Sequence, residues 1–91
     1  MWRVVWSDGA LENVADISTY IRTFNPRAAA RLELDIIRAC EGLSTMPDRG
    51  RPISRGRREL TITVPYVIQY IVVGDEVRIL SIRHSARRPE G

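Results

Sequence analysis

Apolar residues recur along this chain with two different periods, and each change of period marks a change of element. Trp2-Arg3-Val4-Val5-Trp6 is a short aromatic and β-branched run, the composition of a first strand. Ser7-Asp8-Gly9 then supplies turn and helix-capping chemistry. From Ala10 the apolar positions step by three and four through Val14, Ile17, Ile21 and Phe24, which predicts an amphipathic helix. Asn25-Pro26 ends that helix and opens the next, with Asn as cap and Pro at the first helical position. Ala29, Leu32, Ile36, Cys40 and Leu43 share one face of the second helix. With almost no linker between them, the two helices must fold back as a hairpin and turn both stripes to the same layer.

Beyond the second helix the period falls to two. Thr45 to Arg57 reads as a loop, punctuated by Pro47, Gly50, Pro52 and Gly56. Three strands are predicted after it, at about Arg58–Val64, Tyr66–Val73 and Glu76–Arg83. Gly74-Asp75 suits a tight hairpin, and Pro65, which has no N–H to donate, marks the preceding corner. Tyr66, Ile68, Tyr70 and Val72 alternate on one strand face, so both tyrosines read first as packing residues. Trp2 and Trp6 also share a face and are expected against the helices. The polar tail Ser85–Gly91 is expected to fray. The order β-α-α-β-β-β implies an α+β fold, a helical hairpin on a small, mainly antiparallel four-stranded sheet, in one domain over residues 1–91.

Composition narrows the class. A chain of 91 residues buries only roughly 60–65% of its unfolded surface, so a partner adds usefully to its stability. Cys40 is the lone cysteine and falls in an apolar stripe, which suits a core thiol in a reducing, cytoplasmic setting. No apolar run approaches the ~18 residues of a membrane span, and the N-terminus lacks a signal-peptide layout. One His and one Cys without ligand spacing imply no metal, and Gly50 and Gly56 precede no helix that would make a phosphate loop. No cofactor is expected. Charge changes the picture more. Residues 1–48 hold five Arg against seven Asp and Glu, a net of −2, whereas residues 49–91 hold nine against four, a net of +5. Every basic residue is Arg, whose planar fork pairs bidentately with carboxylate or phosphate. Arg49, Arg51, Arg55, Arg57 and Arg58 lie close together, and Arg83, His84 and Arg87 close the last strand. These eight residues are the expected target-binding surface for a polyanion or an acidic protein.

The same residues resemble a known family. Asp16-Ile17 with Tyr20-Ile21, Asn25-Pro26 with Ala28-Ala29, and Leu43…Pro47…Gly50-Arg51-Pro52 match in the first half. Arg58-Glu59-Leu60, Tyr66-Val67-Ile68…Tyr70 and Ile79…Ile82-Arg83-His84…Arg87 match in the sheet. In order and spacing they resemble the ParE/RelE superfamily, the toxins of type II toxin–antitoxin modules. The resemblance implies a cognate antitoxin with an acidic C-terminal segment along the hairpin and a sheet edge, giving a hetero-oligomer. It leaves two targets open. RelE-like members cut mRNA on the ribosome, a reaction for which Arg58, Arg83, His84 and Tyr70 are the candidate residues here. ParE-like members inhibit DNA gyrase without cleaving RNA. RelE-like nucleases resemble one another in an arginine where this chain has Val67 and in an aromatic residue near the C-terminus, and no aromatic follows Tyr70. These departures favour the gyrase reading and a non-enzymatic toxin. A non-toxic protein-interaction module is the third expectation.

Overall fold

The computed structural model describes residues 1–62 and 65–85. Chain order is β1 (Arg3–Trp6), α1 (Asp8–Arg22), α2 (Pro26–Gly42), β2 (Arg51–Pro52), a 3-10 turn at Ser54–Gly56, β3 (Arg57–Thr61), β4 (Tyr66–Val73) and β5 (Glu76–His84). The caps are those the sequence advertises. Ser7 Oγ accepts from the Ala10 N–H at 3.0 Å, and Asn25 Oδ1 accepts from the Ala28 N–H at 3.1 Å. Both satisfy donors that the first helical turn leaves without partners.

The sheet has five strands rather than the expected four, in the order β1-β5-β4-β3-β2. The addition is β2, two residues within the expected loop, paired antiparallel with β3 through Arg51↔Glu59 and Pro52↔Arg58. Proline is tolerated there because β2 is an outer edge and needs no donor on that side. β1 pairs parallel with β5, from Arg3↔Glu76 to Trp6↔Ile79, and the other neighbours are antiparallel. β3 ends at Thr61. The expected extension to Val64 and the frayed tail beyond Ser85 lie outside the described residues.

Both helices cover one face of the sheet. Ala10, Leu32, Ile36, Cys40 and Leu43 pack against Ile68, Tyr70, Val77, Ile79 and Ile82, with Trp2, Val4, Trp6, Tyr66 and Val72 around them. The expected packing of both tryptophans, Cys40 and the tyrosine stripe therefore holds. Phe24 departs from its stripe: it lies past the end of α1, is 74% exposed, and meets the Tyr20 ring edge-on at 5.3 Å. Between the helices, Ser18 and Arg22 of α1 converge on Glu33 of α2, a polar clasp at the margin of the apolar seam.

One irregularity sets which side chains go where. Gln69 pairs with Ser81 but Tyr70 pairs with Ile79, so Leu80 is an extra residue on β5. Strict alternation from Val77 and Ile79 would send Ser81 and Arg83 to the helices. The bulge resets the phase, returning Ile82 to the core and sending Arg83 to the uncovered face. Beyond Ile79, α1 takes over from β1 as the neighbour of β5. The Ser7 N–H donates to Ile79 O at 3.0 Å, Ser7 Oγ donates to Leu80 O at 3.1 Å, and Asn13 Oδ1 accepts from the Ile82 N–H at 3.1 Å.

Two outcomes follow. Ser7→Ala removes the cap and the bulge contact together and should cost about 1–2 kcal/mol; that is a fall in melting temperature of roughly 4–8 °C per kcal/mol in a domain this small. An unchanged melting curve would show that Ser7 holds neither. Cys40 is fully buried, and that burial, with some help from Glu41, pushes its thiol up to about 12. A thiol reagent at pH 8 should label the protein only after denaturant is added.

Candidate functional site

The sheet sorts the candidate residues onto two faces. Register places Arg51, Arg57, Glu59, Gln69 and Arg83 on the uncovered face, and Arg58, Tyr66, Tyr70 and His84 on the helix side. Arg83 and His84, adjacent in sequence, therefore point opposite ways. They share one end of the sheet but lie on its two faces.

On the helix side, Tyr70 is fully buried and its hydroxyl is committed: it donates to Pro47 O and accepts from the Gly50 N–H, each at 2.8 Å. Burial pushes the phenol up, against the downward pull of the Gly50 N–H and the Arg58 guanidinium. A phenol held this way clamps the loop. Arg58 joins the clamp. Its Nη1 donates to Asp48 O at 3.1 Å and to Gly50 O at 2.6 Å, so this half-buried guanidinium ties the loop to β3. Gly50 is required by close approach: a Cβ there would meet the Tyr70 hydroxyl oxygen at 2.7 Å and Cε1 at 2.8 Å. The loop so held carries Arg49, Arg51 and Arg55 as exposed side chains. Arg55 sits in the left-handed region at φ 62°, a conformation that costs a non-glycine residue about 1–2 kcal/mol.

His84 stacks edge-on against Tyr66, ring centroids 5.4 Å apart. Both line a cleft of about 310 Å³ between α1 and the end of the sheet, together with Asn13, Asp16, Ile17 and Tyr20 of α1 and Ile82 and Arg83 of β5. Residues quoted above for the family resemblance, scattered over three elements, thus meet at one place.

On the uncovered face, Glu59 takes Arg51 Nη2 on one carboxylate oxygen at 2.9 Å and Arg83 Nη2 on the other at 3.0 Å. β3 and β5 flank β4, so the Glu59–Arg83 bridge crosses over β4, where Val67 and Gln69 are buried. Val67 lies directly opposite Arg83. Arg57 Nη1 reaches Gln69 Oε1 at 3.4 Å. Near the other end, Glu76 receives both Arg3 and Arg78. Arg3, Glu59, Glu76 and Arg78 escaped the sequence reading, although period-two alternation against Val4 and Val77 would have put Arg3, Glu76 and Arg78 on the outer face. Arg87 lies outside the described residues.

Residues 4–89 match the sequence profile of the ParE toxin of type II toxin–antitoxin systems, parDE. The chain belongs to the ParE toxin family. It is 42% identical to Toxin RelE2 of Caulobacter vibrioides, over 96% of this chain and 99% of that protein. It is 36% identical to the putative toxin Y4kP of Sinorhizobium fredii, over 91% and 88%. Its fold superposes with a TM-score of 0.84 and 26% identity on a chain of the chromosomal ParDE system of P. aeruginosa, covering 92% and 96%. Relatives of this ParE-family chain thus carry both ParE and RelE names. No helix among the described residues is long and apolar enough to cross a membrane.

The clamp yields a paired prediction. Tyr70→Phe leaves the buried Gly50 N–H and Pro47 carbonyl without their partner and should cost about 1–3 kcal/mol. Gly50→Ala forces a methyl into the Tyr70 ring and should cost a similar amount, about 1–3 kcal/mol. Denaturant midpoints measure both. A Gly50→Ala protein as stable as the native one would show that the loop and ring do not approach as described.

Proposed function

We propose that this ParE-family toxin arrests growth by binding a cytoplasmic protein target, DNA gyrase, without cleaving RNA, and that a cognate antitoxin holds it silent. The observation that carries the reading is the split of the candidate nuclease residues. Cleavage through a 2′-hydroxyl needs an acid or base and a phosphate-binding cation converging on one atom group. Here Arg83 and His84 both line the helix-side cleft, but the Arg83 guanidinium is carried over the opposite face to Glu59, Arg58 holds loop carbonyls and the Tyr70 hydroxyl is held by the loop. Val67, where RelE-like nucleases resemble one another in an arginine, is buried beneath that bridge. What stays outward is a cationic surface made of the loop arginines, Arg57 and Arg83. Such a surface suits recognition of an acidic protein.

The antitoxin reading rests on the hairpin. Tyr20, Phe24, Leu34 and Ile37 remain exposed on α1, α2 and their junction, apolar side chains that a partner segment could bury. An amphipathic helix of the antitoxin would cover it, with an extended stretch along a sheet edge, and binding would stabilise the toxin by mass action.

The deciding experiment runs two purified systems side by side. The protein should inhibit supercoiling by gyrase and leave ribosome-bound mRNA intact, and His84→Ala should keep most of the inhibition. Codon-specific mRNA cleavage that disappears in His84→Ala would replace this reading with the nuclease one. Neither effect, together with no growth arrest on induction, would leave a non-toxic interaction module.

A further inference from the structure

We infer that the uncovered face of the sheet, including its β1–β5–β4 end far from the arginine loop, docks a protein partner that presents carboxylates to the arginines and apolar side chains to Val5, Ile71 and Val73. This deepens the reading above by naming the surface and the kind of patch it takes.

The face is built from register alone. β1 contributes Arg3 and Val5, β5 contributes Glu76, Arg78, Ser81 and Arg83, β4 contributes Val67, Gln69, Ile71 and Val73, β3 contributes Arg57 and Glu59, and β2 contributes Arg51. Five arginines stand against two glutamates, 5 − 2 = +3, whereas the half of the chain carrying both helices is net negative. The charges are ordered. Each glutamate is shared by two guanidiniums, Arg51–Glu59–Arg83 toward one end and Arg3–Glu76–Arg78 toward the other. Sharing one carboxylate between two forks keeps each triad net positive, restrains the arginine side chains and lowers the entropy lost on binding. Arg3, Arg51 and Arg78 keep side-chain exposures of 70%, 73% and 51%, so most of their donors still face water.

Apolar side chains stand around the Arg3–Glu76–Arg78 triad: Val5 pairs with Arg78 on one side, and Ile71 and Val73 lie opposite Arg78 and Glu76 on the other. Val5 and Val73 are exposed and Ile71 is half-buried. Apolar side chains interleaved with arginine, a residue enriched where proteins meet, suit a protein partner. A nucleic acid is the poorer fit. Single strands are held by aromatic platforms, and the strand aromatics Trp2, Trp6, Tyr66 and Tyr70 all lie on the helix side. A phosphate backbone would also pass over Glu59 and Glu76. Among the described residues both helices pack on the opposite face, so a partner here and one on the hairpin would engage different elements.

The test uses two variants away from the loop and the clamp. Arg78→Ala removes one cation of the face, Val73→Thr makes one apolar contact polar at nearly constant volume, and Arg27→Ala on exposed α2 is the control for loss of charge. Binding to purified gyrase is measured by calorimetry, and binding to fluorescent poly-L-glutamate and to a single-stranded oligonucleotide of equal charge by anisotropy. With gyrase, Arg78→Ala should bind about tenfold more weakly, a loss of about 1.4 kcal/mol; Val73→Thr should lose about threefold and Arg27→Ala less than twofold. With poly-L-glutamate, only Arg78→Ala should weaken. If native protein binds gyrase and both face variants match Arg27→Ala, the docking surface is overturned while the gyrase reading stands. If native protein ignores gyrase, the gyrase reading fails, and poly-L-glutamate decides the surface: equal weakening in Arg78→Ala and Arg27→Ala overturns it. Tighter binding of the oligonucleotide than of poly-L-glutamate overturns the partner class.

Discussion

The extra residue at Leu80 is the constraint on which the functional surfaces depend. A strand has a period of two, so one inserted residue exchanges the faces of everything beyond it. Here that exchange brings Ile82 back to the core, turns His84 toward Tyr66 and sends Arg83 over β4 to Glu59. The bulge is held from outside the sheet, by Ser7 on its carbonyl side and Asn13 on the following N–H. The start of α1 therefore does two things with one set of polar atoms: it caps a helix and finishes the edge of β5 where β1 stops.

The arginines divide their work by the same geometry. Arg58 shares a sheet face with Tyr70 and spends its donors on the carbonyls of Asp48 and Gly50, which fixes the loop. Arg51 pairs across the ladder with Glu59 and remains on the open face with its charge only half answered. Residues of one type, seven apart, thus become a clamp and a contact. Fixing the loop matters because a flexible segment must lose conformational freedom on binding, and a preorganised one has lost it already. Isolated exposed ion pairs contribute little to stability, so the triads matter more for where they hold guanidinium groups than for what they add to folding.

Much of the architecture was legible because it is local. Helix caps at Ser7 and Asn25, the three-and-four spacing of both helices, the turn at Gly74 (φ +61°) and the alternation of β4 are properties of neighbours in sequence. So was the burial of Cys40, which followed from its place in the stripe of α2. Phe24 shows the limit of that logic: its spacing continues the stripe of α1, but the helix ends at Arg22 and leaves the ring outside. β2 escaped because two residues, one of them proline, carry no period; only the presence of Glu59 and Arg58 opposite them makes a strand.

The sequence by itself determined the elements, their order, the apolar faces that must meet, the imbalance of charge between the two halves and the resemblance to a toxin family, because each is written in residue type and spacing. It did not determine which arginine is a clamp and which a contact, nor that Arg83 and His84 part company, nor that Arg3 and Arg78 join the same surface as Arg51. Those outcomes rest on pairings between residues far apart in the chain, such as Arg3 with Glu76, Ser7 with Leu80 and Glu59 with Arg83. A periodicity tells a residue which neighbours share its face. Only the folded sheet tells it which face that is.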